Sequence, residues 1–259
     1  MNEKYLVKAV EMRKSIRKFS MRPLDEDKTG EIMNMIKTLI PLDATIETEV
    51  HLVPEEGVKG LMAIKAPHYL LFFSEKKPND LENAGFMVQQ MDLALSLAGI
   101  GACWLGVAKP APAFTKASRL PYVVALALGK ASEPLHRKSK NEFKRKPLQE
   151  ICSGLKEHHD LAEAVRLAPS GTNSQPWRLV AETDVIHGFR IKAGWLKGLL
   201  YERLNRMDMG IALLHLWLAV RACGRETRVS FSQPDLMSPP KNSVHEWSLH
   251  MADAQEVAE

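Results

Sequence analysis

Four stretches of this 259-residue sequence carry side chains whose types and spacing could do chemistry. The first, Arg13-Lys14-Ser15-Ile16-Arg17-Lys18-Phe19, sets four cations and a hydroxyl within seven residues. In an extended segment alternate side chains share a face, so Arg13, Ser15 and Arg17 could converge on one anion with Ile16 turned away. The same residues read equally as a solvated basic loop. The second stretch, Ala168 to Trp177 (APSGTNSQPW), is a turn by its Pro, Gly and Asn, yet it also offers hydroxyl, amide and backbone donors in quick succession. Amide side chains pair with donors and acceptors alike, so the loop could line a polar heteroaromatic ring, or it could be a plain helix-to-strand turn.

The third stretch, Gly99 to Gly106 (GIGACWLG), has three glycines that let backbone approach a ligand closely. It lacks the GxGxxG spacing of a dinucleotide fold. The fourth, His136 to Lys146 (HRKSKNEFKRK), holds six Lys or Arg against Glu142, which suits either a polyanion or plain solvent. No Ser/His/Asp or Cys/His arrangement stands out, so no catalytic side chain is nominated. Cys103, Cys152 and Cys223 are odd in number and lack a CxxC spacing; they read as packing cysteines, with neither a disulfide framework nor a metal site.

The elements that would position these residues alternate between helix and strand. Periodicity predicts helices over Tyr5–Met12, Leu24–Leu39 and Asn83–Ala98, the last closed by Gly99 as a left-handed cap. Apolar runs at His68–Phe73 and Tyr122–Leu128 read as buried strands, and Trp177–Val180 and His245–Met251 as further strands. The tail Ala252–Glu259 reads as polar and mobile. At a shift of 125 residues Gly85, Leu93, Ala94 and Gly99 fall on identical Gly210, Leu218, Ala219 and Gly224, and a thinner match at 128 sets Leu39-Ile40-Pro41 on Leu167-Ala168-Pro169. These matches predict an α+β chain of two tandem α/β repeats, residues 1–150 and 151–259, packed as an intramolecular pseudo-dimer.

Composition bounds the function. With 45% hydrophobic and 25% charged residues, the chain belongs with ordinary globular proteins and not with collagenous or disordered ones. A net charge of +4 is too small to argue for a nucleic-acid partner. The strongly apolar stretch Met209–Val220 is shorter than the roughly 20 residues a membrane span needs. The N-terminal residues do not read as a secretory signal, so a cytoplasmic protein is expected.

The motifs together resemble those of the FMN-dependent nitroreductase family. Arg13 to Phe19 is similar to its RRSxRxF motif, Ala168–Trp177 to its APSxxNxQPW loop and Gly99–Gly106 to its GLGxCWxG segment. Gly129 followed by Arg145-Lys146-Pro147-Leu148 resembles its closing glycine and RxPL element. In ordinary members the arginine motif and the polar loop lie close together in one subunit, and a second subunit completes the site. Here they stand more than 150 residues apart. The first half has Ile40–Glu47 in place of the loop, and the second has Ile151–Asp160 in place of the arginines. That division resembles the tandem, single-chain branch of the family and implies one FMN per chain, a degenerate second site and a monomer.

Carried over by position, the resemblance implies that Arg13 and Arg17 hold the phosphate with help from Ser15 and Arg145, and that Lys14 rather than Lys18 faces the flavin. Pro169, Ser170, Asn173 and Gln175 would approach the flavin from the other repeat, with Trp104, Leu105 and Gly106 near its N5. The implied activity passes a hydride from NAD(P)H through flavin N5 to a nitroaromatic, quinone or similar small electrophile. Two alternatives stand beside it: a flavin-binding sensor or storage protein without turnover, and a degenerate non-enzymatic interaction protein.

Overall fold

A carboxylate just before an amphipathic run opens a helix, and Asp25 does this by accepting the Lys28 N–H at 2.8 Å ahead of Glu26–Lys37. The computed structural model describes residues 3–60, 64–116, 118–154, 156–194, 198–236 and 238–253. In chain order its elements are α1 (Glu3–Val10), α2 (Glu26–Lys37), β1 (Thr48–Pro54), β2 (Val58–Lys59), β3 (His68–Ser74), α3 (Asp80–Leu97), β4 (Gly101–Leu105), β5 (Lys109–Pro110), α4 (Pro112–Thr115) and β6 (Tyr122–Gly129). There follow α5 (Leu148–Ile151), β7 (Cys152–Gly154), α6 (His159–Leu167), β8 (Trp177–Ala181), β9 (Val185–Ile191), α7 (Gly198–Ala222), β10 (Arg225–Ser230) and β11 (Ser243–Asp253). By contact the chain divides into a unit of residues 12–139 and a unit joining residues 2–11 to 140–259. Helix α1 goes with the second unit because it packs on α7, where Glu3 pairs with Arg221 at 3.1 Å.

In the first unit four antiparallel strands run in the order β1-β3-β6-β4. Strands β3 and β6 are buried on both faces, which explains their unbroken apolar runs. Tyr69, Leu71 and Phe73 pack with Ala125, Ala127, Leu105 and Val53 in one cluster, and α3 lies against β3, β4 and β6. Every residue of α3 from Leu81 to Ser96 is buried, polar ones included, and two of its buried amides, Asn83 and Gln90, serve neighbouring backbone. Gln90 accepts Ile40 N–H at 3.0 Å and donates to Ile40 O at 2.7 Å, while Asn83 accepts from Leu42 N–H at 2.8 Å.

The second unit has five strands in the order β10-β11-β9-β8-β7, with only β7 parallel to its neighbour. Its run β8-β9-β11-β10 repeats β1-β3-β6-β4, antiparallel throughout, and in both units a long helix follows the second strand. Both long helices are followed by a left-handed glycine, Gly99 at φ +78° and Gly224 at φ +80°. No single shift aligns the two units, because three residues (182–184) replace the long connection 55–67 and α7 has 25 residues against 18 in α3.

Two expectations need correction. Strand β11 continues through Ala252 and Asp253, which pair with Glu226 and Arg225; residues 254–259 of the expected tail lie outside the described residues. Cys103 and Cys152 are buried, their thiols pushed up to about 11 by burial, but Cys223 is exposed at the end of α7 and is no packing residue. No helix among the described residues is long and apolar enough to cross a membrane.

Candidate functional site

The cationic segment runs beside the edge strand of the first sheet. Ser15 pairs with Ala102 of β4 and Ile16 N–H donates to Ala102 O at 2.9 Å, while Arg13 and Phe19 bridge to His136 and Ala131. Ile16 is fully buried against Gly101, where a Cβ would stand 3.0 Å from the isoleucine branch. Hence Gly101 is glycine for room, not for conformation.

Extended geometry does put Arg13 and Ser15 on one face, with the guanidinium Nη2 donating to Ser15 Oγ at 3.0 Å. Arg13, however, turns inward. It is 1% exposed and its Nε stands 2.9 Å from Asp92 Oδ2 of α3. Burial pushes the Asp92 carboxyl up, opposed first by the charge of Arg13 and then by hydrogen bonds from Trp104 and Gln89. Arg137 donates to the Arg13 carbonyl, closing the bracket. Arg17 and Lys18 keep exposed side chains. Their backbone N–H groups donate to Glu133 Oε1 at 2.7 and 3.2 Å, and Lys14 Nζ pairs with Glu133 Oε2 at 3.2 Å. These donors hold the Glu133 carboxyl below the usual carboxylate range, the Arg17 N–H foremost. In the glycine-rich stretch, Leu105 is buried, Trp104 and Gly106 are half-buried, and Trp104 Nε1 donates to Gln89 Oε1 at 3.2 Å.

In the second unit the polar loop holds Thr172, Asn173 and Gln175 at φ 52°, 58° and 49°, a region that non-glycine residues rarely enter. Side chains maintain the shape. Arg145 Nη1 donates to Asn173 Oδ1 at 2.6 Å, so two of the expected site residues meet directly. Asn173 Nδ2 donates to Lys144 O at 2.9 Å, Gln175 Oε1 accepts Lys146 N–H at 2.7 Å, and Ser170 Oγ accepts Gln175 N–H at 2.9 Å. Lys146 Nζ reaches the carbonyls of Ser174 and Gln175, both at 3.1 Å, and its desolvation there lowers its pKa. From α7, Asp208 accepts the Gly171 N–H. Within the run His136–Lys146, Arg137, Arg145 and Lys146 make internal contacts and Lys140 pairs with Glu11 at 2.6 Å, while Lys138 and Lys144 are exposed. Among the described residues no cluster could hold a metal ion.

The family model described as "Putative TM nitroreductase" matches residues 5–220. The chain belongs to that family. A crystal structure described as a putative nitroreductase from Thermotoga maritima shares 21% identity with a TM-score of 0.64, covering 97% of this chain and 94% of that one. That likeness shows a nitroreductase fold. Other solved structures align over part of the chain: a nitroreductase family protein from Clostridium difficile (19% identity, TM-score 0.45, 59% of this chain and 98% of that one) and a protein described as a putative nitroreductase in complex with FMN from Desulfovibrio desulfuricans (20%, 0.42, 56% and 93%). No curated protein matches.

Four residues around these family motifs escape reading by spacing: Asp92, Glu133, Lys146 and Asp208. The signal for two of them is visible afterwards. Asp92 is the one formal charge between Phe86 and Leu97, and Asp208 the one between Met207 and Val220; an acid alone in such an apolar-rich stretch of helix must find a buried partner.

Proposed function

We propose that the chain is an FMN-dependent oxidoreductase of the nitroreductase type, acting in the cytoplasm as a monomer and reducing nitroaromatics, quinones or similar conjugated electrophiles with NADH or NADPH. The family match across residues 5–220, which takes in both the cationic segment and the polar loop, carries this reading. FMN, when bound, supplies the chemistry by accepting a hydride at N5 and passing it on.

The residues fit that group in kind. Arg17 offers an exposed guanidinium suited to phosphate oxygens, on a segment braced from within by the Arg13–Asp92 pair. Ser15 and Lys14 would assist it. Arg13 reaches a phosphate only by exchanging Asp92, and as it stands it braces Ser15. Trp104, Leu105 and Gly106 would meet the ring near N5 with backbone donors, which favour negative charge there. Pro169, Ser170, Asn173 and Gln175 would take the polar edge. Asn173 and Gln175 are already bonded to Arg145, Lys144 and Lys146, so binding trades those bonds for ligand bonds. No side chain is assigned as acid or base.

The shared strand order supports reading the units as tandem repeats of one ancestral fold, and the one-sided distribution of motifs supports one flavin per chain. Anaerobic NADH or NADPH should bleach the flavin-loaded protein, and a quinone should restore its colour. A flavin untouched by either nucleotide would contradict the enzymatic reading.

A further inference from the structure

Asp208 is 3% exposed and projects from α7 into the polar loop. Its two carboxylate oxygens lie 3.0 and 3.1 Å from the Gly171 nitrogen, and Oδ2 lies 3.4 Å from the Ser174 hydroxyl. Asn205, one turn earlier, stands 3.4 Å from the same hydroxyl. These contacts bracket Thr172 and Asn173, two of the loop's three left-handed non-glycine residues. Such backbone persists only where its surroundings over-determine it. Gly171 itself needs no special space, since a Cβ there would meet its neighbours at 3.6 Å or more. What it contributes is an N–H aimed at Asp208.

We propose that Asp208 is the positioning residue of the polar loop: its carboxylate clamps Gly171 and Ser174, sets the left-handed turn that presents Asn173 and Gln175, and grades flavin affinity by its own ionisation. The last step rests on the flavin reading given above; the clamp does not. The charged groups facing the loop from the segment before α5 are Lys146, on the carbonyls of Ser174 and Gln175, and Arg145, on Asn173. Asn205 is the neutral neighbour on α7. Burial pushes the Asp208 carboxyl up to about 7, against the pull of the Gly171 N–H and the Ser174 hydroxyl. It therefore changes charge near neutrality. As pH rises through that point the Gly171 bond becomes charge-assisted, roughly twice as strong as its neutral form.

Two measurements test this. In flavin-free protein the Gly171 amide resonance should titrate between pH 6 and pH 8 with a midpoint near neutrality, and Asp208→Asn should abolish the titration. FMN affinity, read by quenching of flavin fluorescence, should rise about fivefold more over that interval in the wild type than in Asp208→Asn. The flavin's own phosphate titration is common to both proteins and cancels in the ratio. If the variant does not fold, the wild-type amide titration decides alone, and a Gly171 resonance indifferent to pH overturns the proposal. Equal pH dependence of FMN binding in the two proteins also overturns it while leaving the flavin reading intact. A titrating Gly171 in a protein that never binds FMN supports the clamp and contradicts the flavin reading.

Discussion

Arg13 and Arg17 belong to one motif but meet opposite environments. Arg13 is buried against Asp92, so replacing it strands a carboxylate without its counter-charge; Arg17 is exposed, so replacing it leaves the core intact. Arg13→Ala should lower unfolding free energy by about 3–5 kcal/mol. Arg17→Ala should leave it within about 0.5 kcal/mol and weaken FMN binding roughly ten- to hundredfold, the worth of one charge-assisted contact. Urea unfolding and flavin titration of both variants check the contrast. An Arg13→Ala protein as stable as the wild type would show that the buried pair is not structural. Residue types and spacing made both arginines and the loop amides legible as candidates. Spacing did not reveal that Asp92 captures one arginine or that Glu133 accepts the backbone N–H of the other, because those partners lie about 80 and 116 residues away in sequence.

At the scale of elements, strands buried on both faces and the glycine-capped helix α3 declare themselves through period and punctuation alone. Strand β11 declares only its central stretch, His245–Met251, and not its full span Ser243–Asp253. Its polar alternation and the bulge between His245 and Trp247 blur the pattern, and its C-terminal end is defined by pairing with β10. Where β11 crosses β9, Gly188 faces the ring of Trp247, and a Cβ would stand 2.4 Å from it. Trp247 is fully buried with its Nε1 on Met209 O at 3.1 Å, so the ring has nowhere to move. Gly188→Ala should therefore cost about 1–3 kcal/mol by overpacking, measurable as a lower urea midpoint; an unchanged midpoint would mean the sheet shifts freely there.

The same strand sets a pH response. Burial, then the nearby His187, lowers His245 to about 4 from its ordinary 6.5. A proton therefore binds the unfolded chain first as pH falls. The contribution is complete above pH 6.5 and is lost between there and about pH 4. Stability against pH in the wild type and in His245→Gln should separate across that window, with the shallower decline in the variant. Parallel curves would contradict the assignment. Asp208, raised to about 7, acts in the opposite sense, favouring the fold as pH falls through neutrality.

For the whole molecule, the two units share a strand order and a glycine at the end of the long helix, yet their functional endowments differ. The arginine segment and the GIGACWLG stretch stand in residues 12–139, while the polar loop and Arg145 stand in 140–259. Strand β10, in the place of β4, reads Arg225-Glu226-Thr227-Arg228-Val229-Ser230, with neither glycine nor tryptophan. A single complement of motifs in a duplicated topology predicts a single flavin. The most direct test is to release the chromophore from purified, FMN-saturated protein by denaturation and count it against chains. One FMN per chain is the expected result; two per chain, or none after saturation, would contradict a single composite site.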